Sequence, residues 1–244
     1  MKNQYFGDIG DFGKYGLLRF IAKHGISIAV NWYLTMDDQS NDGNIRNYLT
    51  RGNDRVFDAE LFDTLRDMCF HNDKDVSHFA ALDIIPCAIY YNSLVEPSPS
   101  DLISYEEKRI RRMNWHLKAL SACDGASLVF MDPDNGLRNG KPTARKDAAK
   151  YAYASEVWDY YARGQNVVYY CHKGRRNKTQ WESAKRIMQD YCPDARLMGV
   201  TYHRGTQRSF IFVIHPEQEE QYNSLLMRFL ETNWKEHFTR EIIT

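Results

Sequence analysis

The chain has 244 residues, 43% hydrophobic and 26% charged, and its 32 basic and 32 acidic residues cancel to a formal charge of zero. That profile describes a globular chain able to bury a sizeable core and excludes a disordered or collagen-like one. Neutrality overall does not exclude a polyanionic partner, because local patches decide that.

Residues 27–34 (SIAVNWYL) are rich in β-branched and aromatic side chains and predict a strand. Residues 58–69 place Leu61, Phe62, Leu65 and Met68 on one face, which predicts a helix capped by Asp58. A short strand is expected at 88–94. A helix is expected at 105–122, with Ile110, Met113, Leu117 and Leu120 at helical spacing. Residues 127–131 (SLVFM) predict a buried strand, and 147–163 a helix stopped by Gly164. A strand at 166–171 and a helix at 179–191 with a threonine cap follow. Two strands, 196–203 and 208–215, are joined by a tight turn, and the last helix is expected over 216–234. No repeat is visible, and the Pro-containing stretch at 96–101 is too short for a linker, so one domain spanning 1–244 is expected.

Strands alternating with helices imply an α/β fold with a mostly parallel sheet and helices on both faces. The last two strands must be antiparallel neighbours, because their connection is so short. A parallel sheet closing in a C-terminal antiparallel hairpin resembles the arrangement of S-adenosylmethionine-dependent methyltransferases, so the expected architecture is Rossmann-type and methyltransferase-like. The five cysteines (Cys69, Cys87, Cys123, Cys171 and Cys192) show no CxxC spacing, which argues against a disulfide framework and for a reducing compartment. The polar first residues read as no secretory leader, and no apolar run approaches the roughly 20 residues that span a bilayer. A cytoplasmic chain without a membrane partner is expected.

In an open α/β sheet, ligands bind at the carboxyl ends of the strands. The sharpest signal there is Asp132-Pro133-Asp134-Asn135 after the 127–131 strand. A carboxylate at a low-dielectric sheet edge is placed for acid–base work, and the proline stiffens its turn. The loop after the 27–34 strand carries Asp37, Asp38, Asp42 and Gly43, oxygens suited to ribose hydroxyls or to Mg²⁺. After the 166–171 strand come His172, a candidate general base, and the basic Lys173, Arg175, Arg176 and Lys178, suited to phosphates. Arg204 follows the next strand. Near the start, Gly7, Gly10, Gly13 and Gly16 recur every third residue and weaken any helix before Leu17. Asp8, Asp11 and Lys14 share the same spacing. Tyr5, Phe6, Phe12 and Tyr15 among them suit a segment that covers a ligand or stacks a base.

The blocks YFGDIGDFGKYGLLR, WYLTMDDQSNDG and VFMDPDNGL resemble those of a family of uncharacterised bacterial proteins. More distantly, Tyr5, Gly7, Asp11 and Lys14 are similar in order to the N-terminal motif of ribosomal-RNA adenine-N6 methyltransferases. Asp132 and Pro133 match the first two positions of that family's (D/N)PP(Y/F) motif; Asp134 and Asn135 stand where it has a second proline and an aromatic. The resemblance implies a nucleic-acid-directed enzyme that uses S-adenosylmethionine. Asp132, Asp134, Asn135, His172 and Lys14 would then be catalytic, and Asp37, Asp38, Asp42, Gly43 and Asp11 would hold the cofactor. Tyr5, Lys173, Arg175, Arg176, Lys178 and Arg204 would hold nucleic acid. The acidic loop stands where such enzymes have Gly-x-Gly, which opens a second reading. In it a nuclease or phosphohydrolase holds Mg²⁺ or Mn²⁺ on Asp38, Asp132 and Asp134, with base excision as a variant. A third reading is a non-catalytic binding domain.

Overall fold

A computed structural model describes residues 1–38, 40, 42–98, 101–241 and 243. In chain order its regular elements begin with α1 (Ile9–Lys23), β1 (Ile28–Asn31), α2 (Tyr48–Arg51), α3 (Ala59–Phe70), α4 (Val76–Ala81) and β2 (Ile89–Tyr91). Then come α5 (Tyr105–Ala122), β3 (Leu128–Met131), β4 (Gly136–Arg138), β5 (Tyr151–Tyr153), α6 (Ala154–Tyr161) and β6 (Asn166–His172). The chain closes with α7 (Lys178–Lys185), α8 (Ile187–Tyr191), β7 (Arg196–Tyr202), β8 (Arg208–Ile214), α9 (Glu219–Glu231) and β9 (Phe238–Glu241).

Seven strands form one sheet in the order β2-β1-β3-β6-β8-β7-β9. The first four run parallel, and β6–β8, β8–β7 and β7–β9 pair antiparallel. Strand alternation sorts side chains to two faces. Ile28, Val30, Leu128 and Phe130 pack with α1, α3, α4 and α9, whereas Ala29, Val129 and Met131 pack with α5, α6, α7 and α8. The result is a mixed α/β fold with a seven-stranded, mostly parallel sheet covered on both faces. Among the described residues, no helix is long and apolar enough to cross a membrane.

Six expectations need correction. The glycine-rich start is helical: α1 begins at Ile9, capped by Asp8, whose carboxylate accepts from the Gly10 amide at 2.8 Å. Its glycines are spaces into which other side chains lie. A Cβ on Gly13 would stand 2.6 Å from the Tyr202 ring, and one on Gly16 would stand 2.2 Å from Trp234. Phe6, Phe12 and Tyr15 are fully buried, so they are core and cannot stack an incoming base; Tyr5 is half-buried. The face expected to bury in α5 is largely the outer one. Arg112, Trp115, His116 and Ala119 turn inward, while Ile110, Met113 and Leu117 are exposed. Arg112 can turn inward because Glu156 meets it with paired contacts of 2.7 and 2.9 Å.

The 147–163 helix is in fact a 3-10 turn (Ala148–Lys150), then β5, which pairs with β4 in a separate two-stranded sheet, then α6. The 179–191 helix breaks at Arg186 into α7 and α8, and its cap is Asn177, whose side chain accepts from the Gln180 amide. The 216–234 segment is helical in three pieces, α9 lying between the 3-10 turns Pro216–Gln218 and Asn233–Glu236.

Candidate functional site

The parallel strands deliver their carboxyl ends to one rim, and β8, running the other way, brings its first residue to the same rim. The register that pairs His172 with Arg208 fixes this. A cavity of about 630 Å³ opens there, floored by Asp132 and Asp134 and walled by Lys14, His172, Arg208 and Lys150. That is an ordinary size for a small-molecule or nucleotide pocket.

Asp132 follows β3 directly and is 4% exposed. Its Oδ2 lies 2.7 Å from Lys14 Nζ, which also lies 2.7 Å from Asp11 Oδ1. One buried cation therefore bridges two buried carboxylates. Helical spacing puts Asp11 and Lys14 one turn apart on α1, and the sheet brings Asp132 to them. Lys14 also sits over the rings of Tyr15 and Trp32, at 5.0 and 5.4 Å from their centroids. Burial opposes its charge, but the two carboxylates outweigh that and hold it above the ordinary lysine value. Burial raises Asp132 above the ordinary aspartate range, with Lys14 opposing. Asp132 Oδ1 accepts no hydrogen bond among the described residues. It remains a free acceptor at a low-dielectric edge.

Asp134 Oδ1 lies 2.6 Å from the Met1 amino group, and its Oδ2 accepts from Thr35 Oγ1 at 3.4 Å. The Asn135 amide N–H donates to the Lys150 carbonyl at 2.9 Å, which ties the motif to the turn before β5. His172 Nδ1 lies 3.2 Å from Tyr170 Oη. Burial, with Arg208 and Arg176 nearby, holds His172 below the ordinary histidine value. It is therefore a neutral acceptor near pH 7.

Of the remaining candidates, Asp11, Asp42, Gly43 and Tyr5 line the cavity. Asp37 and Asp38 do not. Asp37 accepts from the Gln4 amide at 3.0 Å, and Asp38 pairs with Lys2 and accepts from Ser40. With Asp38 spent on the N-terminal segment, the set Asp38, Asp132 and Asp134 is not assembled. Among the described residues, no group of three or more His, Cys, Asp or Glu is placed to hold a metal ion. Arg204 is turned away to Asp54. Lys173 donates to Gln207 at 2.9 Å, and Arg176 to the His172 carbonyl. Arg175 and Lys178 are exposed.

Arg208, Asp8 and Lys150 line the cavity too, though none of them follows a strand in the sequence pattern. Arg208 was legible in principle: an antiparallel strand starts where its parallel neighbour ends. Its guanidinium occupies the place of a Gly10 Cβ, 1.1 Å away, and donates to Thr206. Lys150 was not legible, because it arrives through the β4–β5 pairing, which has no sequence signature.

The residues do not fit S-adenosylmethionine held in the manner of a glycine loop. After β1 come Trp32 and Tyr33, both fully buried, where such a cofactor needs bare backbone. Asp37 and Asp38 are engaged by the chain itself, and β2 is followed by Asn92 and Ser93 with no carboxylate for a ribose.

No family model matches the sequence, and no curated protein matches it. Among solved structures, the chain is similar to the crystal structure of protein LPL1258 from Legionella pneumophila str. Philadelphia 1, of the family DUF519. The two share 9% identity and a TM-score of 0.48, over 97% of this chain and 96% of that one.

Proposed function

We propose that the protein is a nucleic-acid-directed modifying enzyme on a Rossmann-type, methyltransferase-like fold, acting on a base held in the cavity at the carboxyl ends of β1, β3 and β6. The observation that carries this reading is Asp132-Pro133-Asp134-Asn135, which follows the interior strand β3 and forms the floor of a nucleotide-sized cavity. The sheet order, parallel through β6 and antiparallel beyond it, supports the fold assignment.

The chemistry is acid–base. Asp132 Oδ1 accepts a hydrogen from a base amino group or from a water, and Lys14 holds the carboxylate in place and opposes the effect of burial on its charge. Asn135 offers an amide whose carbonyl and NH₂ can read a base edge, and neutral His172 accepts a second hydrogen. No methyl-transfer step is assigned, since the residues after β1 do not make the cofactor's site.

The test is a melting-temperature titration with the four nucleoside monophosphates, S-adenosylmethionine and Mg²⁺, on the wild type and Asp132→Asn. A ligand that binds only the folded state raises the melting temperature. The expected result is a rise with a monophosphate that Asp132→Asn abolishes while keeping its fold by circular dichroism. A rise with S-adenosylmethionine would instead make methyl transfer the working reaction. No response to any monophosphate would overturn the reading.

A further inference from the structure

The cavity and its surroundings carry opposite charge. Five carboxylates line the interior, those of Asp8, Asp11, Asp42, Asp132 and Asp134, against four cations, the Met1 amino group, Lys14, Lys150 and Arg208. Two loops leave this rim. The first, residues 138–150 between β4 and β5, carries Arg138, Lys141, Arg145, Lys146 and Lys150 against a single acid, Asp147. The second, residues 172–178, carries Lys173, Arg175, Arg176 and Lys178 against none. These twenty residues therefore hold a net charge of +8 in a chain whose total is zero.

Both loops are anchored at the cavity. Lys150 and His172 line it, and β4 packs beside β6, where a Gly136 Cβ would stand 3.1 Å from the Cys171 Cα. Lys141, Arg145, Lys146, Arg175 and Lys178 are exposed, and none has a side-chain hydrogen bond or salt bridge among the described residues. Arg138, by contrast, is fixed between Asp147 at 2.6 Å and the Tyr151 ring at 3.6 Å, which stiffens the first loop.

We infer that these two loops are the banks of a docking surface for the sugar-phosphate backbone of a nucleic-acid strand, with the target nucleotide turned into the cavity between them. The inference rests on the reading of the cavity given above and names its substrate class. A nucleic-acid strand has phosphates on both sides of the target nucleotide, one side for each basic bank. A strand keeps them at the basic rim and presents only a base inside. Because the interior is rich in acceptors, it favours a base bearing an exocyclic amino group over thymine or uracil.

The experiment is fluorescence anisotropy of labelled single-stranded and duplex oligonucleotides over a range of salt. It compares the full-length wild type, Lys141→Glu/Arg145→Glu/Lys146→Glu, Arg175→Glu/Lys178→Glu, Lys118→Glu and Asp132→Asn. Lys118 is exposed near the C-terminal end of α5, which leads into the first residue of β3, whereas the cavity follows the last residue of that strand.

Each loop variant is expected to lose roughly tenfold or more in affinity, and its salt slope should flatten by about one for each phosphate contact removed. Lys118→Glu should bind within about twofold of the wild type, and Asp132→Asn should bind without modifying the strand. The inference is overturned if the wild type binds no oligonucleotide, or if either loop variant binds like Lys118→Glu. Oligonucleotide binding through the loops with no response to any monophosphate would keep this surface and remove the cavity reading. A monophosphate response without loop dependence would do the reverse.

Discussion

Lys14 is the residue on which the site's electrostatics turn. It is the buried cation between Asp11 and Asp132, and each ion pair is 2.7 Å long. Removing one partner of a buried pair is far more costly than the pair is worth in net stability, because the remaining charge stays desolvated. Lys14→Met preserves length and apolar contact but strands two carboxylates. It is expected to lose about 3 to 5 kcal/mol in chemical denaturation at pH 7. Part of that loss should return on acidification, once Asp132, raised by burial, is protonated. A loss under ~1 kcal/mol would mean that the carboxylates are more hydrated than their burial implies. Asp132 was legible as a site residue from its place after an apolar strand. The salt bridge that holds it was not, because residues 14 and 132 are far apart in sequence.

At the scale of the element, α1 inverts the usual meaning of glycine. A helix interior ordinarily gains about 0.5–1 kcal/mol when glycine becomes alanine. Here the new methyl at Gly13 would meet the Tyr202 ring at 2.6 Å, and Tyr202 is itself fixed by a 3.0 Å hydrogen bond to the Ile9 carbonyl. Gly13→Ala is therefore expected to destabilise by about 1 to 3 kcal/mol, the range for overpacking a core. Urea denaturation reads the sign directly, and a gain in stability would show that α1 can shift away from β7 at no cost. Local propensity argued against a helix before Leu17, and tertiary packing overrides it: the glycine face lets Arg208, Tyr202 and Trp234 lie flush on the backbone. The spacing of three was visible in the sequence, but not what would fill it. In α5 the periodicity was right and the buried face wrong, since apolar spacing does not reveal that Arg112 will find Glu156.

Across the whole molecule, that second ion pair fastens the face opposite α1. Glu156 receives Arg112 from α5 and the Tyr33 hydroxyl, at 3.0 Å, from the segment after β1. Burial works against its charge, but Arg112 outweighs that and holds Glu156 below the ordinary glutamate value. A carboxyl depressed in the folded state contributes stability above the unfolded-state value, and that contribution fades as the pH falls through the folded one. Glu156→Gln is expected to cost about 3 to 5 kcal/mol at pH 7, by leaving Arg112 unpaired. It should also flatten the decline of stability below about pH 4.5. Denaturation midpoints at pH 7 and pH 4 check both; an unchanged acid limb would show that Glu156 is not the group being titrated.

By itself the sequence determined the alternation of strands and helices, the extent of α5 and the Asp58 cap. It also determined that Asp132 to Asn135 would stand at a strand's carboxyl end. These follow from local period, capping chemistry and the alternating face of a strand, all written in neighbouring residues. Only the tertiary structure decided that Phe6, Phe12 and Tyr15 are core, that Asp37 and Asp38 are spent on Gln4 and Lys2, and that Lys14, Arg208 and Lys150 converge on Asp132's cavity. Each of these depends on which distant side chain satisfies a buried charge or fills a glycine's space. That is a property of three-dimensional packing, and no local pattern encodes it.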